Sequence, residues 1–189
     1  MKNHFKVFLS ALLLICITDL VQAQRLFTRS ANVSFDATTN SSLEVVDAKT
    51  NTGTLVIDVP TGQVEAAVLM KSLLFEKALM QEHFNENYIE SSKYPKGVFK
   101  GKLDDATKVD FTKDGSYKAN VSGDLTMHGV TKKVSAPVTF TVKGGKVAAH
   151  TDFSVVLKDF SIDIPSVVSD KVAKEAKISF GGDLEELKK

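Results

Sequence analysis

The chain has 189 residues, 12 of them phenylalanine, with one cysteine, no tryptophan, and 24 Lys+Arg against 23 Asp+Glu. Charges this balanced, scattered and not blocked, give no electrostatic footprint for nucleic acid or an anionic membrane surface. The one cysteine, Cys16, lies near the start, so the remainder carries neither disulfide nor thiolate nucleophile, and a chain of this size buries enough surface to fold without them.

Lys2 and Lys6 precede a nearly continuous apolar run from Val7 to Ile17, and Val21-Gln22-Ala23 follows. A short positive region, a short apolar core and small residues at a cleavage site are the layout of a secretory signal peptide. It is predicted to span 1–23, with export to the periplasm or beyond. The run is too short for a membrane anchor, which takes roughly 20 apolar residues. Cys16 reads as part of the apolar core, because Ile15 is too large for the position before a lipidated cysteine. No linker, repeat or low-complexity tract divides the rest, so 24–189 reads as one domain.

Period-two alternation dominates that domain. Ala31, Val33 and Phe35 alternate with polar residues. Gly53–Val59 and Val64–Met70 are β-rich runs separated by Pro60-Thr61-Gly62. Leu73–Tyr88 breaks the pattern: Phe75 and Leu79, and then Met80, Phe84 and Tyr88, recur four apart. That spacing predicts an amphipathic helix with Ser72 as its cap. Tyr94-Pro95 closes the region, because the residue before a proline avoids helical geometry. Strands resume at Val98–Leu103, along Ala119–Met127 and along Val134–Val142. Lys143-Gly144-Gly145-Lys146 reads as a tight hairpin turn. Val147–Val155, Phe160–Ile164 and Ile178–Leu184 complete the set, and Gly181-Gly182 marks a candidate bulge.

About eight or nine strands, each with one apolar face, must bury those faces together. Short connections make the sheet antiparallel, and closure into a barrel removes its edges. The predicted fold is all-β: an antiparallel, lipocalin-like barrel of about eight strands with one inserted helix, which either lids a cavity or completes the core. Ten apolar residues are assigned to the interior as candidate ligand-binding positions. Phe35, Leu69, Val121, Leu125, Phe140, Phe153 and Phe160 come from strands, and Phe75, Leu79 and Phe84 from the helix.

A search for chemistry returns little. His83, His128 and His150 lie far apart without metal-ligand spacing. There is no Gly-x-Ser-x-Gly elbow. The adjacent acids Asp104-Asp105 and Glu185-Glu186 would point to opposite faces of a strand. The reading assigns no catalytic residue, metal or cofactor and no enzymatic activity.

Two stretches carry a family resemblance. Lys93-Tyr94-Pro95 followed by Phe99, and Gly123-Asp124-Leu125-Thr126-Met127-His128-Gly129-Val130-Thr131-Lys132 continued by Val134 and Pro137-Val138, resemble the two signatures of the YceI-like family. Phe153, Asp159-Phe160, Ile162, Ile164, Ile178 and Leu184 are similar to its late strands. The chain departs from the family pattern at Arg25–Ser30, around Asp36–Thr52, and in the more apolar stretch Leu73–Met80. The resemblance implies an elongated antiparallel barrel with a helical insertion, exported from bacteria and holding a long isoprenoid or other lipid-like tail. The expected partner is therefore an isoprenoid or fatty-acyl-like lipid, with a homodimer left open. Two alternatives stand beside this one: a packed barrel acting through a protein partner in envelope stress, and an enzyme acting on a bound lipid, with His128 as first suspect.

Overall fold

A computed structural model of the chain describes residues 24–187; the segment assigned to the signal peptide lies outside them. Among the described residues there are nine strands: β1 (Arg25–Thr38), β2 (Asp47–Asp58), β3 (Gln63–Leu69), β4 (Leu74–Phe75), β5 (Lys96–Leu103), β6 (Gly115–Met127), β7 (Val130–Lys143), β8 (Lys146–Val156) and β9 (Val172–Glu186). Eight of them close a ring in the order β1-β9-β8-β7-β6-β5-β3-β2, with β2 returning to β1 and the two-residue β4 added alongside β2. Every pairing is antiparallel.

Alternation makes these strands, and the structure follows its phase. Ala119 and Val121 of β6, Ala136, Val138, Phe140 and Val142 of β7, and Val147 and Ala149 of β8 are all buried, with exposed or half-exposed residues between them. Two hairpins have two-residue turns with positive φ at both positions, His128-Gly129 (51° and 74°) and Gly144-Gly145 (57° and 76°). Such turns match the right-handed twist of the flanking strands. At Gly101 and Gly123, directly paired across β5 and β6, glycine is required by close approach. A Cβ on Gly123 would lie 2.4 Å from the Gly101 Cα, and one on Gly101 would lie 2.4 Å from the Phe99 ring.

Up-and-down connectivity separates two ends. The turns β2–β3, β5–β6 and β7–β8 gather at one end, which the β5–β6 connection closes. There Val109 and Phe111 are buried, and the Phe111 ring packs edge-on against Phe140 at 5.2 Å. The β1–β2, β3–β5 and β8–β9 connections gather at the other end with the His128-Gly129 turn, and β3–β5 and β8–β9 are the two longest. Each end has its own buried cluster: Leu103, Phe111, Phe140 and Leu184 at the closed end, and Met70, Leu73, Phe84, Ile89 and Phe160 at the other.

Three elements differ from the sequence-based expectation. The helix is six residues, α1 (Ala78–His83), continued through Phe84–Tyr88 by one wider turn whose Ile89 N–H reaches the Phe84 carbonyl at 2.9 Å. Leu73–Phe75 is extended because Gln81 acts as its backbone partner, accepting from Phe75 N–H at 2.9 Å and donating to the Leu73 carbonyl at 2.8 Å. Ser72 therefore caps no helix; its hydroxyl donates to the Leu69 carbonyl at 2.7 Å. Phe160–Ile164 is not a strand: Leu157–Phe160 form a 3-10 turn ended by Ser161 at φ 59°. Gly181-Gly182 holds no bulge in its pairing with β8, which runs without a shift. The irregularity lies opposite, in β1 between Phe27 and Asn32, and Gly182 lets the Ala31 backbone approach its bare Cα.

Candidate functional site

Between the two buried ends the barrel is hollow. The cavity has a volume of about 530 Å³ and is lined almost wholly by apolar side chains from all eight ring strands, β4, α1 and the mouth-end loops. Its floor is Phe140, 1% exposed, and its walls include Phe99, Leu125, Phe153, Ile178 and Phe180. These wall residues are only partly buried while the residues at both ends are fully so, as expected of side chains facing a void and not a packed neighbour.

Eight of the ten residues assigned to the interior line this cavity: Phe35, Phe75, Leu79, Phe84, Val121, Leu125, Phe140 and Phe153. The structure brings Phe35, Phe75 and Phe84 together into one aromatic group near the mouth, with ring centroids 4.9 to 6.4 Å apart. Leu79 sits at the rim and is 63% exposed.

Leu69 and Phe160 do not line the cavity. Leu69 is 49% exposed. Val64 sets the inward face of β3, and five residues on, an odd number, puts Leu69 on the outer face. Phe160 is 2% exposed but lies in the 3-10 turn beside Leu157 and Ile162, packed under the β6–β7 hairpin. His128 Nδ1 donates to the Phe160 carbonyl at 2.9 Å, His128 Nε2 stands 2.9 Å from Glu90 Oε2, and Tyr94 packs edge-on to the imidazole at 4.9 Å. His128 thus joins three connections and stays outside the cavity lining. Glu90, His128 and Ser161 are the three non-glycine residues with positive φ among those described, and they converge on this one junction.

Several lining residues escaped the sequence reading. Phe99, Ile178 and Phe180 were within reach of it, because each keeps the inward phase of its strand. The polar residues at the mouth were not. Lys77, just before α1, Lys171 of the β8–β9 connection and Glu44 of the β1–β2 connection all line the cavity. Lys77 Nζ lies 2.8 Å from Glu44 Oε1, and Lys171 Nζ lies 3.5 Å from Glu44 Oε2. The Thr39 hydroxyl donates to the Asp170 carbonyl at 2.6 Å, tying the same two loops. Lys77, by its hydrogen bond and its charge, and then Lys171 hold the Glu44 carboxyl below its ordinary value. Glu44 in turn raises Lys77 above the usual lysine value. No local pattern links these three residues. Among the described residues, no three His, Cys, Asp or Glu are grouped to hold a metal.

A model of the YceI-like domain matches residues 25–182. UPF0312 proteins of Pseudomonas savastanoi pv. phaseolicola and Pseudomonas syringae pv. syringae are each 33% identical over 118 residues, covering 59% of this chain and 57% of theirs. The match thus spans little more than half the length of these relatives. A polyisoprenoid-binding domain from Saccharophagus degradans, implicated in plant cell wall breakdown, superposes with a TM-score of 0.73 at 12% identity, over 87% of this chain and 99% of its own. BcnA of Burkholderia cenocepacia superposes with a TM-score of 0.65 at 16% identity, over 82% and 96%. At these identities the likeness is one of fold. The closed eight-stranded barrel with its short helix, and the family model running through all nine strands, give one conclusion: the chain belongs to the YceI-like family.

Proposed function

We propose that this protein is an exported carrier that holds a long apolar ligand, an isoprenoid or a similar lipid-like tail, inside the barrel. The cavity carries the proposal: about 530 Å³ of apolar space, closed at one end by Val109 and Phe111. Empty apolar space forgoes dispersion contacts along its whole lining. Filling it with a tail regains them and removes apolar ligand surface from water, at roughly 25 cal/mol per Å². Polar side chains occur mainly at the mouth, where they would fix a head group. The likeness to a polyisoprenoid-binding domain supports the same ligand class. Export is proposed from the charged start, apolar run and cleavage-like residues of 1–23.

The hollow interior argues against a fully packed barrel. An enzyme acting on bound lipid draws no support from His128, whose ring is engaged away from the cavity lining. Titrating the delipidated protein with farnesol, followed by native mass spectrometry, tests the carrier reading. A one-to-one complex that dissociates as intact farnesol is expected. If farnesol and longer prenols give only the bare protein, the proposal fails.

A further inference from the structure

The mouth of the cavity holds an ionic arrangement that an apolar tail alone does not explain. Two ammonium groups from different loops converge on the two oxygens of one carboxylate, Lys77 on Glu44 Oε1 and Lys171 on Oε2. All three side chains line the cavity. Glu76 adds a longer-range attraction on Lys77, so the group is balanced while Glu44 is in place, and two ammonium groups at the opening lose their shared partner when it moves away. The Glu44 side chain is one-third exposed and belongs to the connection between β1 and β2, not to a strand.

We propose that Lys77 and Lys171 form a binding site for an anionic head group, a phosphate or a carboxylate, carried on the apolar tail, and that Glu44 occupies this site when no ligand is bound. The inference rests on the carrier reading and adds the charge of the ligand to it. A tail in the cavity brings its own end to the mouth, where the lysines stand. An anionic head presents oxygens to both ammonium groups as Glu44 does, and charge-assisted hydrogen bonds of this kind are about twice as strong as neutral ones. The Glu44 carboxylate then moves out to solvent, which its exposure and loop position allow. Glu44 both satisfies the two lysines in the empty barrel and competes with the ligand. Its removal should therefore strengthen binding of anions, whereas removal of the lysines should weaken it.

The test compares ligands that share a tail and differ in charge: farnesyl monophosphate with farnesol, and dodecanoate with dodecan-1-ol. Each is titrated into the full, delipidated protein at low salt and followed by calorimetry. The charged member of at least one pair should bind about tenfold more tightly than its alcohol, the worth of one charge-assisted hydrogen bond at the lower end of its range. The pair with the larger ratio identifies the head as phosphate or carboxylate. Glu44→Gln should widen that ratio, and Lys77→Ala with Lys171→Ala should bring it close to one while farnesol binding persists. Retained farnesol binding reports an intact barrel in every variant. Equal binding of acid and alcohol in the parent protein, an unaltered ratio in the double lysine variant, or a ratio not widened by Glu44→Gln would each overturn the head-group site and leave the carrier reading standing. Binding of none of the four ligands would remove both.

Discussion

Phe140 and Leu125 show how inward apolar side chains serve two purposes in this barrel. Phe140 is fully enclosed, between Phe111 and the closed-end cluster. Phe140→Ala should cost about 3–5 kcal/mol, the usual loss for a buried phenylalanine, read as a lower urea midpoint. Leu125 is only half-buried and faces the void. Leu125→Trp should change stability by less than about 1.5 kcal/mol, because the larger ring enters empty space and displaces no packed neighbour. It should also reduce uptake of long-chain ligands, and since the chain has no tryptophan, the new indole reports occupancy by its own fluorescence. His128 stabilises through geometry. His128→Gly keeps the positive φ of the turn but deletes both ring hydrogen bonds, and should lower stability by about 1–3 kcal/mol. Ligand affinity measured on the folded fraction should stay unchanged, which separates a structural junction from a lipid-processing residue.

At the scale of elements, the β5–β6 ladder is fitted around its paired glycines. Gly123→Ala places a methyl 2.4 Å from both the Gly101 Cα and the Lys100 carbonyl oxygen. Backbone on both sides cannot yield as a flexible side chain would, so the variant should lose at least about 1–3 kcal/mol, seen as a lowered thermal midpoint. The mouth loops depend on pH through the Glu44 pair. With its value lowered in the fold by Lys77 and Lys171, Glu44 contributes stability above the ordinary glutamate range and loses it as pH falls through the lowered value. Lys77, with its value raised by Glu44, contributes below the ordinary lysine value and loses it as pH rises through the raised one. The loops should be clasped between these limits. Carboxyl ¹³C titration of Glu44 should give a midpoint below the ordinary value that moves up in Lys77→Ala; an unmoved midpoint would mean the pair does not form in solution.

The strands were legible because alternation is local: phase along β6, β7 and β8 names the inward residues without knowledge of their partners. The same rule, applied from Val64, puts Leu69 outside, as the structure does. The segment Leu73–Tyr88 was less legible. Phe75 and Leu79, and then Met80, Phe84 and Tyr88, have helical spacing, yet Gln81 holds Leu73–Phe75 extended through a side-chain pairing that periodicity does not encode. The turn at Phe160 misled in the same way, because apolar alternation continues through Ile162 and Ile164 while Ser161 adopts the left-handed conformation. The ionic group at the mouth was not legible at all, since its three members come from loops that only barrel closure brings together.

For the whole molecule, up-and-down topology explains why a carrier site lies where it does. Every second connection returns to the same end, so one end is sealed by Val109 and Phe111 of the β5–β6 connection and the other collects the helix, the two longest connections and the Glu44–Lys77–Lys171 group. A ring of eight strands is wide enough for side chains or for one slender ligand. Here the end clusters use the first option, and the middle of the barrel keeps room for the second. The central claim, that this room holds an apolar tail, is tested most directly by expressing the full chain in a bacterial host and recording native and denaturing mass spectra of the gently purified protein. A stoichiometric extra mass in the native spectrum, released on denaturation as an extractable lipid, is the predicted result. A bare mass in both spectra, with no uptake of added prenols or fatty acids, would contradict it.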